Sequence, residues 1–132
     1  MFRIVVVVAL ALICSSAATE ARPRLARAWP APQVLGARPH GCPHAFCGCG
    51  ASLYLFGRII PRLNLAAAWF AFPRARPAPR MAAVRRHHVF VLVEQLEAAI
   101  WLVHDSNSGG GLTRLHARSL AGFIIVDPSE AK

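Results

Sequence analysis

Two apolar segments in the second half of the chain limit its possible folds more than any other feature. They are His88–Val93 (HVFVLV) and Ala99–His104 (AIWLVH), joined by the short loop Glu94–Ala98. Segments of this length, rich in β-branched and aromatic residues, predict an antiparallel β-hairpin. Neither segment alternates apolar with polar residues, so we expect both faces of the strands to be covered by other parts of the chain.

Weaker strand patterns surround the hairpin, and helical patterns precede it. A helix is expected to begin near Cys47 and to end at Gly57, and a second one to follow an Asn64 cap. Helices followed by strands predict an α+β fold, with N-terminal helices packed on a small antiparallel sheet. The second helix and the additional strands are expected at Leu65–Phe72, Met81–Val84, Leu112–His116 and Ala121–Val126.

The start of the chain has the layout of a secretory signal. Arg3 precedes the apolar run Ile4–Ile13, and small residues follow that run. The run is about half as long as a membrane-spanning helix, which needs about 20 residues. We therefore expect a signal peptide at 1–21, export to the periplasm or the extracellular space, and no stable membrane span after cleavage. A basic arm rich in proline and arginine is predicted at 22–39, and a folded domain at 40–132.

The charge of the chain points to an acidic partner. There are 15 Lys and Arg residues against 6 Asp and Glu residues, which gives a net charge of +9. Such a balance suits nucleic acid, a membrane surface or an acidic wall polymer, and export argues against nucleic acid. No glycine-rich phosphate loop is present, so no nucleotide cofactor is expected.

Three cysteines lie within the predicted domain, at Cys42, Cys47 and Cys49. Exported proteins usually pair their cysteines, and an odd number leaves one thiol free. Cys42 could pair with Cys49 and leave Cys47 free, or Cys47 could itself be half of a disulfide. The sequence leaves both alternatives open.

A hairpin register would bring two histidines together near this cysteine segment. If Val93 faces Ala99, then His88 faces His104 on the same side of the sheet. A cysteine at a helix start beside an imidazole has the features of an activated thiol, because both neighbours stabilise the thiolate. We therefore predict Cys47 as nucleophile, His88 as acid and base, and His104 as the group that orients His88.

The order of these segments resembles that of the papain-like cell-wall hydrolases, which include the NlpC class of peptidases and the CHAP amidases. AFCGC is similar to their cysteine motif at Cys47, HHVFVLV to their histidine strand at His88, and LVHDSNSGGG to their third-residue segment at His104. The likeness covers roughly 41–128. It implies a papain-like fold and an exported cysteine peptidase or amidase that hydrolyses peptide or amide bonds in peptidoglycan, with wall-derived peptides as partners. Phe90 stands where these enzymes usually have glycine.

Several alternatives accompany this hypothesis. Asn107 is a second candidate for the orienting residue, since its side-chain oxygen could also bind His88. A non-catalytic module that binds the cell envelope through the basic arm is a different class of function. A small metal-binding protein is another, because thiolates and imidazoles bind zinc and copper. Its candidate ligands would be His40, Cys42, His44, Cys47 and Cys49.

Overall fold

The apolar segments of the second half form the centre of a sheet. The computed structural model describes residues 28–130, and all the strand pairs in it are antiparallel. The strands are β1 (Gln33–Gly36), β2 (Ala82–Arg85), β3 (His88–Glu97), β4 (Ile100–Asp105), β5 (Thr113–Ser119) and β6 (Ile124–Val126), in the spatial order β1-β5-β4-β3-β2-β6. The predicted signal peptide at 1–21 lies outside the described residues.

The predicted α+β class with several N-terminal helices is wrong. The described residues contain one α-helix, α1 (Cys47–Phe56), and the six-stranded sheet dominates the structure. The segment predicted as a second helix forms two short 3-10 turns, Pro61–Leu63 and Ala66–Ala71. Pro73 restricts the residue before it, so too few residues remain to nucleate an α-helix. Trp69 instead folds back and donates a hydrogen bond from Nε1 to Leu63 O, 2.8 Å away.

The helix that carries the cysteine is confirmed, and it ends where the sequence predicts. Gly57 closes α1 in the left-handed conformation, with φ of 67°, and its N–H donates to Leu53 O. Gly48 lies so close to the Leu63 carbonyl that an added Cβ would be 2.1 Å from that oxygen. The helix start is therefore fixed by close packing, which a larger residue at Gly48 would prevent.

Both faces of the central strands are covered, as the unbroken apolar runs predict. On one face, Val89 and Val91 pack with α1 and with the buried Trp69. On the other face, Phe90 and Leu92 pack in a second cluster with neighbouring strands. Val89, Phe90 and Val91 have no exposed surface. The sheet is thus the rigid base on which the helix start and the strand ends are positioned.

The predicted hairpin register is wrong. His104 pairs with Val91, not with His88, and β3 continues through the predicted loop to Glu97. Two irregularities in the β3–β4 ladder, between Leu92 and Glu94 and between Gln95 and Glu97, shift the pairing. Each extra residue displaces the partners along the strand, and an odd displacement moves a side chain to the opposite face.

Strand β1 lies within the segment predicted to be a basic arm. It pairs with β5 and forms one edge of the sheet. Three of its four residues are exposed, so it has no buried face to produce a strand pattern in the sequence. No helix in the described part of the chain, 28–130, is long and apolar enough to cross a membrane.

Candidate active site

A disulfide constrains the segment 42–49 and leaves one of its three thiols free. Cys42 and Cys49 form the bond, so the first of the two open alternatives holds. Cys47, at the first position of α1, keeps a free thiol, and only 5% of the residue is exposed. The metal-binding alternative loses two thiolates to this disulfide. Among residues 28–130, no group of three or more His, Cys, Asp or Glu side chains is arranged to hold a metal ion.

The thiol of Cys47 lies against the first residues of β3. The His88 side chain and the backbone N–H groups of Val89 and Gly48 lie close enough to the thiol to stabilise its anionic form. Burial alone would raise the pKa of Cys47, but these contacts and the charge of His88 outweigh burial and lower the pKa. The predicted meeting of Cys47 with His88 is therefore present in the structure.

The group that orients His88 is Asp105, a residue that the sequence analysis did not select. His88 Nε2 donates to Asp105 Oδ1 over 2.6 Å, and the Asp105 side chain has no exposed surface. Since Nε2 is occupied in this way, Nδ1 is the ring nitrogen that remains for the thiol. Asp105 is thus in the position that a third catalytic group requires.

Three cationic or titratable side chains share the Asp105 carboxylate. His116 Nε2 donates to Oδ2 over 3.0 Å, and Arg118 Nη1 donates to the same oxygen. Burial alone would raise the pKa of Asp105, but His88 first, and then His116 and Arg118, lower it to about 2. The carboxylate is therefore ionised at every pH at which the protein is expected to work.

The pKa of His88 is shifted in the opposite direction. Burial alone would lower it, but the hydrogen bond to Asp105 and then the contact with Cys47 raise it to about 9. A raised histidine pKa and a lowered thiol pKa both favour the form of the pair in which a thiolate lies beside an imidazolium. This is the reactive form of a cysteine nucleophile.

The two predicted orienting residues lie elsewhere. His104 precedes Asp105 in β4, so its side chain projects from the opposite face, where its ring stacks on Tyr54 at 4.1 Å. Asn107 has a φ of 58° in the turn after β4 and forms no side-chain hydrogen bond with His88. A signal for Asp105 was present in the sequence, since it is a lone acidic residue directly after an apolar strand.

A cleft of about 320 Å³ opens beside the thiol. Cys47 lines it together with Asn64, Leu65 and the basic pair Arg86 and His87 from the β2–β3 turn. Helix α1 has no side-chain cap and no acidic residue in its first turn. The first N–H groups of a helix have no partner within it, so the start of α1 near Cys47 favours a developing negative charge.

Comparison of the chain with protein families, curated proteins and solved structures found no match. The function of this protein is therefore inferred from the geometry of the site itself.

Proposed function

We propose that this protein is a cysteine hydrolase that cleaves peptide or amide bonds. One observation carries the proposal: the free thiol of Cys47 lies beside the His88 ring, and buried Asp105 holds Nε2 of that histidine. Nucleophile, proton carrier and orienting group thus form one chain of contacts. The fold itself gives no support to a papain-like assignment, so the proposal depends on these three residues.

The chemistry would proceed in two steps. The Cys47 thiolate attacks the carbonyl carbon and forms a C–S bond, while the helix-start N–H groups stabilise the oxyanion. The His88 imidazolium gives its proton to the leaving amine as the C–N bond breaks, which leaves an acyl-enzyme. Water then attacks the thioester, His88 accepts its proton, and the acid product leaves as the thiolate forms again. Asp105 holds the His88 ring in place and stabilises its charge throughout.

We propose further that the substrates are peptides of the cell wall and that the protein is exported. The net charge of +9 and the position of Arg86 at the cleft favour substrates that carry carboxylates, as wall peptides do. The Cys42–Cys49 disulfide and the signal-like start of the sequence favour an oxidising compartment. The sequence resemblance to cell-wall hydrolases agrees with both points.

Thiol mapping tests the catalytic part of the proposal. Iodoacetamide added to the native, oxidised protein at pH 7 should label Cys47 rapidly, since its thiolate is stabilised. His88→Ala should reduce that rate at least tenfold, while Cys42 and Cys49 stay unlabelled in both proteins. Equal rates in wild type and His88→Ala would contradict the proposed pair.

Release of peptides from purified peptidoglycan, followed by mass spectrometry, tests the substrate. Wild type should release fragments with new termini, and Cys47→Ala should release none, because no acyl-enzyme forms. A folded wild type with a reactive Cys47 that releases nothing would overturn the wall substrate and leave the hydrolase chemistry standing. Binding to peptidoglycan without release, and with an unreactive thiol, would support the envelope-binding alternative instead.

A further inference from the structure

A second cavity lies beside α1 and contains none of the three residues of the proposed active site. It has a volume of about 320 Å³ and is lined by side chains from the edge of the sheet and from the helix. Its principal lining residues are Leu35, Leu53, Tyr54, His104, Ser106 and Thr113. We refer to it below as the β4–β5 cavity.

Unpaired polar atoms are concentrated at this cavity. Within residues 28–130, five buried side-chain polar atoms lack a hydrogen-bond partner, and three belong to residues that line it: His104 Nδ1, Ser106 Oγ and Thr113 Oγ1. Ser106 is 2% exposed and Thr113 is 7% exposed. A buried polar group without a partner destabilises the fold, so each such group requires an explanation. Three of them in one cavity are explained together if a bound molecule is their partner.

The fold makes room for one of these hydroxyls at a further cost. A Cβ added at Gly50 would lie 2.1 Å from Ser106 Oγ, so only glycine at this helix position lets the serine side chain take its place. Glycine within a helix is itself unfavourable. A helical glycine and an unpaired serine hydroxyl, both of which lower stability, thus lie side by side at this cavity. Such a loss of stability is common at functional sites.

The other lining residues indicate the shape and charge of a molecule that this cavity could bind. The Tyr54 ring stacks on His104 with an angle of 16° between the planes, and Leu53 and Leu35 add apolar surface. Leu35 lies at the irregularity of the β1–β5 ladder, where a bulge redirects a side chain. In the described part of the chain, no Asp, Glu, Lys or Arg lines the cavity.

His104 completes this chemistry as a neutral group. Burial lowers its pKa and outweighs the charge of Asp105 and an interaction of the ring with its own backbone, which both raise the pKa. At neutral pH the ring therefore has one nitrogen that accepts a hydrogen bond, and the Ser106 and Thr113 hydroxyls can both donate. An anion would find no cation in the lining, and a cation would find no carboxylate.

We propose that the β4–β5 cavity binds an uncharged amide group, with the Ser106 and Thr113 hydroxyls donating to the amide oxygen and the neutral His104 ring as a third polar partner. The amide can belong to a peptide unit or to an N-acetyl group on a sugar, since the recognising atoms are the same. This site is independent of the hydrolase proposal, because it uses none of Cys47, His88 and Asp105.

The test is an NMR titration of the ¹⁵N-labelled full chain with two probes, N-acetylalanine methylamide and N-acetylglucosamine, and with glucose as the matched sugar without an amide. One or both amide probes should shift the backbone signals of His104, Ser106 and Thr113, and glucose should not. Which probe binds more tightly identifies the source of the amide. Cys47→Ala should bind the probes as wild type does. Absence of shifts with both amide probes, or equal shifts with glucose, would overturn the proposal.

Thr113→Val is the decisive variant, because it keeps the shape of the side chain and removes the hydroxyl. It should weaken probe binding at least tenfold, and its urea midpoint without probe should equal or exceed that of wild type, since an unpaired hydroxyl has been removed. Ser106→Ala should give the same pair of results. Wild-type probe affinity in both variants, or lower urea midpoints in both, would show that the hydroxyls serve the fold and would contradict the amide site.

Discussion

Asp105 binds His88 with one carboxylate oxygen and both His116 and Arg118 with the other. The two carboxylate oxygens of Asp105 therefore have different roles. One oxygen fixes the tautomer and position of the His88 imidazole, while the other oxygen is held in place by His116 and Arg118. Because the side chain is fully buried, water cannot take over either task when the carboxylate is changed.

Asp105→Asn should therefore damage the site while leaving its shape almost unchanged. The neutral amide cannot stabilise the His88 imidazolium, so the Cys47 thiolate loses its partner at neutral pH. We expect the iodoacetamide rate at pH 7 to fall at least tenfold, and hydrolysis to fall by roughly 10²–10⁴-fold, as in other triads that lose this carboxylate. Stopped alkylation followed by mass mapping, and fragment release, measure the two effects.

Asn107→Gly is the matched control, because glycine readily keeps the left-handed backbone at this turn. Both rates should stay within about twofold of wild type. A greater loss in Asn107→Gly than in Asp105→Asn would return the orienting role to Asn107.

His116 contacts the proposed triad through Asp105, so the proposed mechanism makes it a positioning residue. His116→Leu removes one hydrogen bond to a buried carboxylate, worth about 1.5 kcal/mol, and should lower kcat roughly tenfold with little change in KM. His116→Gln can still donate to Oδ2 and should recover most of that loss. A loss in KM alone, or no recovery in the glutamine variant, would show that His116 has a different role.

At the scale of elements, the start of α1 depends on close contacts at Gly48 and at Gly50, and only glycine permits either of them. Gly48→Ala would place a Cβ 2.1 Å from a backbone oxygen of Leu63, which cannot rotate away. We expect a loss of roughly 1–3 kcal/mol in unfolding free energy, the usual range for overpacking, and a slower reaction of Cys47 with iodoacetamide. Gly36→Ala is the control, since no atom lies within 4 Å of its added Cβ. Urea unfolding of the two variants should separate them clearly.

The same elements explain why sequence reasoning found two of the three site residues. Cys47 precedes an apolar helical run, and His88 begins an unbroken apolar strand, so local pattern places both correctly. The third residue depends on the β3–β4 register, which is set by two ladder irregularities that leave no local signal. The regular register selected His104, whose neighbour Asp105 projects from the other face. The expectation of a second helix at Leu65–Phe72 failed for a similar reason, because Trp69 packing overrides the helical propensity of the alanine-rich segment.

At the scale of the whole molecule, the candidate site couples pH to stability through the buried carboxylate of Asp105. The folded pKa of Asp105 is about 2, while an unfolded aspartate titrates near 3.9. A depressed carboxyl pKa stabilises the fold above the unfolded pKa, and this contribution disappears as the pH falls through the folded pKa. The window for Asp105 therefore extends from about pH 4 down to about pH 2.

The comparison of wild type with Asp105→Asn isolates this contribution from the other acid effects on a chain of net charge +9. At pH 5, wild type should be the more stable of the two by an amount that includes about 2 kcal/mol from the ionised carboxylate. As the pH falls to 2.5, the carboxyl binds a proton in the unfolded chain while it stays mostly ionised in the folded protein, so unfolding becomes easier and the difference between the two proteins should shrink by about half or more. Urea unfolding at several pH values between 2 and 5 measures it. If the difference in unfolding free energy between the two proteins stays constant across this range, the ionised Asp105 carboxylate does not stabilise the fold.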